Sequence, residues 1–261
     1  LVPSRGLGDV YKRQTPRVLI QSANWPQRHT LNRVIGRMLA QIETRRAYYP
    51  GAHERCAEFL HLNSAGLEFG SGGDGRLPWT FIPDIPPGDT GNICFRREAF
   101  CGLMAETSLE ASSVPGFIDQ SVRFANQNLW GTLTASLIVH PRSLRKPEVA
   151  AAVERALETL QYGSVLVNQY GGYAYYLMTT PWGSYPGQDV FDIQSGIGSV
   201  NNAFMFDRPQ KTVVRSSFNQ VADPVQFTFK QFNNFGQKLV DFERSPSWSE
   251  FSGLLWNRLS P

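Results

Sequence analysis

The sequence lacks a long apolar run. No hydrophobic segment approaches the roughly 18 residues that a membrane-spanning helix needs, so no membrane partner is expected. Cysteine is scarce, with three residues in 261, at positions 56, 94 and 101. No two of them have Cys-x-x-Cys spacing, which argues against a disulfide scaffold and for a reducing compartment. Charge of one sign is also missing: 25 Lys and Arg face 22 Asp and Glu. Part of that small excess lies in residues 1–14, where Arg5, Lys12 and Arg13 face only Asp9. The rest is close to neutral, so no nucleic-acid partner is expected. The first residues lack the charged-then-apolar order of a signal peptide. A soluble, cytoplasmic protein is the expectation.

Two apparent motifs lack the flanks that their chemistry requires. Phe69 to Gly75 is glycine-rich, but no strong strand precedes it and no apolar helix follows. A phosphate cradle needs both, so a surface loop is expected. His53 and Cys56 share a helix face, but His61 lies further along and no fourth ligand is near. Zinc needs three or four converging ligands, so no metal site is expected.

What remains has a clear order. Leu1 to Gln14 shows no periodicity and no cap, and reads as a non-native leader. Arg17 to Gln21 reads as a strand. Arg28 to Glu43 is an amphipathic helix with Leu31, Val34, Ile35, Met38, Leu39 and Ile42 on one stripe. His53 to Leu62 is a second, shorter helix. Leu77 to Gly91 holds four prolines and reads as an irregular connection. Pro115 to Gln127 is a helix with Ile118, Val122 and Ala125 inward.

The clearest piece of fold lies between Leu133 and Asn168. Leu133 to Val139 is an apolar run of strand length, and Pro147 opens a helix. Val149, Val153, Ala156, Leu157 and Leu160 follow at helical spacing. Gly163 stands where a left-handed cap is expected, and Ser164 to Asn168 reads as a buried strand. Strand, helix and strand make a βαβ unit with parallel strands. The expected fold class is α/β, a parallel sheet flanked by helices.

Glu98 and Phe100 are candidate site residues. On a strand they would share one face, and a carboxylate beside an aromatic ring suits a nucleotide. An edge Glu beside a core Phe is the plainer alternative. Gln169 to Asp189 is a long aromatic segment with Tyr170, Tyr173, Tyr175, Tyr176, Trp182 and Tyr185. Its density of rings predicts the lining of an apolar pocket. Two aromatic-rich amphipathic stretches, Phe227 to Phe242 and Trp248 to Leu259, close the chain.

Several of these residues carry a resemblance. Arg97-Glu98-Ala99-Phe100-Cys101-Gly102-Leu103 is similar to the EExFGPV motif of the aldehyde dehydrogenase superfamily. Phe124-Ala125-Asn126 with Trp130-Gly131-Thr132 resembles its ALAN…YGL segment, and Tyr162 to Asn168 resembles AGTVWIN. Thr180 to Ser184 resembles PFGG, Gln194 to Gly198 matches QSGIG, and Lys211-Thr212-Val213 matches KTV. The motifs run in register from Glu98 to Val214. The resemblance implies an NAD(P)-dependent oxidoreductase in which a cysteine thiolate attacks an aldehyde. It implies that Glu98 binds the nicotinamide ribose hydroxyls, that Phe100 packs near the nicotinamide and that Trp182 lines the aldehyde entrance. NAD or NADP is the implied cofactor and a small aldehyde the implied substrate. The strand at Lys211 to Val214 is implied to join an oligomerisation sheet in a homo-oligomer.

The chain departs from that pattern at its chemistry. The family's nucleophile lies upstream of the glutamate motif, and Cys56, Cys94 and Cys101 do not occupy its position. Cys101 and Gly102 stand where the motif has glycine and proline. The GxxxxG and ELGGK-type segments are missing. The expectation is therefore a divergent C-terminal part of such an enzyme, incomplete at its N-terminus and without a catalytic residue of its own. Residues 1–14 are then the leader, 15–205 a partial catalytic domain, and 206–261 an oligomerisation strand and packing segment. The alternative is a non-catalytic binding or scaffold protein that keeps the fold.

Overall fold

A computed structural model describes residues 16–201, 205–218 and 229–259. The leader expected over residues 1–14 lies outside the described residues, as does Phe227. The chain divides into two compact units, Leu1–Phe218 and Asn219–Pro261.

In the first unit the strands are β1 (Val18–Ser22), β2 (Arg45–Arg46), β3 (Leu67–Phe69), β4 (Arg76–Leu77), β5 (Trp79–Ile85), β6 (Leu103–Leu109), β7 (Thr134–Leu137), β8 (Ser164–Val167), β9 (Trp182–Gly183), β10 (Ser199–Val200) and β11 (Thr212–Arg215). The helices are α1 (Arg28–Gln41), α2 (Ala52–Leu62), α3 (Ile93–Arg96), α4 (Val114–Asn128), α5 (Pro141–Leu144), α6 (Pro147–Thr159) and α7 (Tyr173–Tyr176). The second unit holds α8 (Phe229–Arg244) and α9 (Trp248–Leu259), with Phe242 and Phe251 ring centroids 6.0 Å apart.

Two main sheets carry the first unit. One has the order β1-β6-β5-β3, with β1, β6 and β5 parallel and β3 antiparallel. The other is wholly parallel, in the order β11-β8-β7. The expected βαβ unit is present as β7, α6 and β8. Ser113 caps α4 by accepting a hydrogen bond from the Gly116 N–H at 3.2 Å. Pro147 sits in the first turn of α6, where its missing N–H costs nothing. Ile118, Val122 and Ala125 of α4 and Val149, Val153, Ala156 and Leu157 of α6 form one buried cluster with Val165 and Val167. Each fully buried Val, Leu or Ile among them contributes about 1.5–3 kcal/mol by leaving water. The aromatic segment supplies the other apolar contact of β8: Leu166 packs with Ala174 and Trp182.

Four local expectations are corrected. The proline-rich stretch after Leu77 contains the seven-residue strand β5, whose Phe81 and Ile82 are buried. Pro83 is tolerated because the ladder with β6 shifts between Ile82 and Ile85, at a bulge where no donor is demanded. Asp84 there takes a left-handed φ of 59°. Glu98 and Phe100 lie before β6, not on a strand. Helix α1 stops at Gln41, and Met38 and Ile42 of its apolar stripe are exposed. Gly163 is not a left-handed cap: α6 ends at Thr159 and Leu160 turns extended. Glycine is needed at 163 for a close approach, because a methyl group there would strike the Gly183 carbonyl. Lys211 closes α6 instead, its Nζ donating to the carbonyls of Leu157, Glu158 and Leu160 at 3.1, 2.7 and 2.6 Å. A cation suits a helix C-terminus.

Candidate functional site

The segment Arg97 to Gly102 is a bend held at several of its residues. Helix α3 delivers it, capped by Asn92, whose side chain accepts from the Cys94 N–H at 3.0 Å. Arg97 then pairs with both carboxylate oxygens of Glu58 on α2, at 2.9 and 2.8 Å. Arg55, also on α2, donates from Nε to the Ala99 carbonyl at 3.0 Å. Its guanidinium lies 5.6 Å from the centroid of the Phe100 ring. Tyr49 meets the same ring edge-on at 5.1 Å. Phe100 takes a φ of 51°, which a bulky residue adopts only when its surroundings hold it there. Gly102 is obligatory, because a side chain there would enter the Trp79 indole. The outcome is a half-buried Glu98 beside Phe100, a residue that stays 37% exposed.

Arg17 joins this turn to the later motifs. Its guanidinium donates to the carbonyls of Trp130, Cys94 and Phe95 and lies over the Trp130 ring at 5.7 Å. Burial lowers its pKa, and the charge of Glu98 acts in the opposite direction. Gly131, at φ 95°, leaves room for Arg17 on one side and Ser195 on the other. The Ser195 hydroxyl accepts from the Thr132 N–H at 2.8 Å. One part-buried cation therefore links residues near Glu98 to Trp130, and Thr132 two residues on holds the Gln194 to Gly198 turn through Ser195. In the sequence Arg17 reads only as the start of a strand. Its pairing needs partners up to 113 residues away, which no local pattern announces.

Trp182 is buried, with its ring 5.9 Å from Tyr175. Trp182 and Gly183 pair antiparallel with Val200 and Ser199. A cavity of about 310 Å³ opens there, lined by Trp182, Leu133 and Ser184 together with Ser195 and the residues that follow it. Trp182 and Ser195 thus share one cavity, while Phe100 faces Tyr49 and Arg55.

None of the three cysteines is in a disulfide. Burial pushes the Cys94 thiol up to about 12. Cys56 and Cys101 act on one another: the Cys56 thiol is pulled down, chiefly by Cys101, and the Cys101 thiol is pushed up by Cys56 and by burial. No group of three or more His, Cys, Asp or Glu could hold a metal among the described residues. No described helix is long and apolar enough to cross a membrane.

The fold of the first unit is of the aldehyde dehydrogenase catalytic-domain type, present in part. It is similar to two solved structures of betaine aldehyde dehydrogenase from Staphylococcus aureus, a point mutant and a double mutant, each in complex with NAD+. The point mutant gives a TM-score of 0.52 at 14% identity, covering 72% of this chain and 36% of that one. The double mutant gives 0.52 at 13%, with the same coverage of 72% and 36%. Aldehyde dehydrogenase 21 from Physcomitrella patens, in complex with succinate, gives 0.48 at 13% identity, covering 64% and 33%. The chain thus spans about a third of the length of these structures. No family model and no curated protein sequence matches it.

Proposed function

We propose that this chain is the cofactor- and aldehyde-facing part of an NAD(P)-dependent aldehyde dehydrogenase. One observation carries this reading: six collinear motifs of that kind occur on a fold independently similar to those enzymes. Glu98 accepts hydrogen bonds from the nicotinamide ribose hydroxyls, and Phe100 packs against the nicotinamide ring. Trp182 lines the aldehyde entrance. The local geometry fits such a ligand in two respects. Glu98 is half-buried beside the cation Arg17, and Phe100 keeps an open ring surface on a rigid turn. It offers no cradle for the phosphates, since the glycine-rich loop after Phe69 leads into the two-residue strand β4 and not into a helix. When bound, NAD(P)+ supplies a two-electron acceptor. The chain's own part is to bind, to orient and to exclude water.

The covalent step is not carried by this chain. Cys56 and Cys94 are buried, and Cys101 is tied to Cys56. A nucleophile for the aldehyde must line the cavity beside Trp182, and none of the three cysteines does. Strand β11 ends its sheet, and its outer edge is the surface by which a homo-oligomer would extend that sheet.

Two measurements on the purified chain test the reading. Titration with NAD+ and NADP+, followed by tryptophan quenching or calorimetry, is expected to show binding that Glu98→Gln weakens about tenfold, or ~1.4 kcal/mol. Unchanged affinity in E98Q would remove Glu98 from the site. Aldehyde-dependent NADH formation is expected to be absent, and turnover would show that a nucleophile is present after all. Absence of both binding and turnover would favour a scaffold protein that keeps the fold.

A further inference from the structure

Two sulfurs meet behind the Glu98 turn. Cys56 on α2 is buried, its Sγ 3.7 Å from the Thr80 hydroxyl. The Thr80 N–H donates to the Gly102 carbonyl at 2.8 Å, so the residue beside Cys56 also holds the residue after Cys101. From the other side Arg55, next to Cys56 in the helix, holds the Ala99 carbonyl. Two anchors thus fix the Cys101 turn against one helical turn of α2, and the Cys56 and Cys101 thiols are near enough for each to shift the other's titration. Cys101 is partly exposed, which gives a small oxidant a way in.

We propose that Cys56 and Cys101 form a dithiol site that hydrogen peroxide or an organic hydroperoxide oxidises to an intrachain disulfide. Cys56 is the attacking group: the Thr80 hydroxyl lies 3.7 Å from its sulfur and can donate to a thiolate there, and the contact with Cys101 lowers its pKa against the opposing effect of burial. The Cys56 thiolate attacks one peroxide oxygen, the O–O bond breaks, and hydroxide (or alkoxide) leaves and takes up a proton. The sulfenic acid formed on Cys56 is then attacked by the Cys101 sulfur. The S–S bond forms, the S–O bond breaks, and the Cys101 proton departs with the oxygen as water. Two thiols lose two electrons and two protons, and one peroxide is reduced to two molecules of water, or to water and an alcohol. Cys94 is the built-in control, because it is buried with Asn63 Nδ2 3.7 Å from its sulfur and keeps its proton. The site does not depend on the cofactor reading and can stand or fall alone.

The test is oxidation of the folded full chain with hydrogen peroxide, followed by alkylation after denaturation and peptide mapping. The expected product is lighter by two hydrogen atoms. It carries one alkylated cysteine, Cys94, and a crosslinked peptide pair holding Cys56 and Cys101. Dithiothreitol should restore three alkylated cysteines. In Cys101→Ser, dimedone should trap a sulfenic acid on Cys56. If that variant fails to fold, the wild-type map decides. Three alkylated cysteines after peroxide, a sulfinic acid in place of the crosslink, or a disulfide that includes Cys94 would each overturn the proposal.

Discussion

The two main sheets bury their central strands with opposite chemistry. Strand β8 is buried at every residue, its Val165 and Leu166 at 0% exposure among apolar neighbours. Strand β6 is buried at five of its seven residues, and one of those five is Glu106, also at 0%. Leu103, Ala105 and Leu109 join the apolar cluster of Phe59, Phe95 and Phe124. Glu106 points to the opposite face, where Arg28 at the start of α1 donates to both its oxygens at 3.0 Å. The Asp84 N–H at the β5 bulge adds a third donor at 2.9 Å, and Arg28 also pairs with the Asp84 carboxylate. A cation at a helix N-terminus is opposed by the helix dipole. Here two carboxylates offset that cost. The second sheet is therefore held by shape, and the first by shape plus one satisfied ionic network.

That contrast predicts which change does most harm. Glu106→Ala leaves Arg28 without its main partner in a buried site and the Asp84 N–H without an acceptor. A loss of about 3–5 kcal/mol is expected in urea unfolding. Replacing both partners, Arg28→Met with Glu106→Leu, should recover the part due to the unpaired cation, because an apolar pair of similar volume needs no partners, while the Asp84 N–H still lacks its acceptor. If the single substitution costs under about 1 kcal/mol, the typical scale of an exposed pair, the network contributes nothing and the two sheets are alike.

The second sheet fails by shape instead. Gly163→Ala puts a methyl group into the Gly183 carbonyl, and Gly183 in turn lies against the Gly198 carbonyl. Three backbone segments meet there with no side chain to yield. The expected cost is about 1–3 kcal/mol, with a loss of near-UV signal from Trp182. A neutral substitution would show that the aromatic segment can move away from β8.

These differences mark what the sequence could reveal. Strand β8 and helix α6 were legible because Val165 to Val167 form one apolar run and α6 has one unbroken helical period of apolar residues behind a proline start. Strand β5 was not, since Pro78, Pro83 and Pro86 read as breakers, and only the shifted register with β6 explains how a strand passes Pro83. The Glu106 network was also missed. Arg28 and Glu106 are 78 residues apart, and each alone looks like a surface charge. Of the candidate site, the residue types at 98 and 100 were readable as a motif. Their turn conformation, and Arg17 behind it, depend on contacts that only the folded chain brings together. The Gly163 cap failed for a related reason: glycine was required there, but by a passing backbone and not by φ.

The smallest effect is expected from the ion pair that most resembles Arg28–Glu106 on paper. Arg215 on β11 and Glu154 on α6 form a two-pronged contact at 2.6 Å for each hydrogen bond. Both side chains are 54% exposed, so water and salt screen them. The hydrogen bond from Arg215 holds the Glu154 carboxyl below its ordinary value. A carboxyl depressed in the folded state stabilises the fold above its unfolded value, and that contribution is lost as pH falls through the folded one. Arg215→Ala should therefore cost under about 1 kcal/mol at neutral pH. The difference from wild type should shrink with added salt and vanish once Glu154 is protonated. A difference that persists under acid would mean that Arg215 acts through its aliphatic stem packed between β11 and α6. In that case shape would hold this sheet even at its rim.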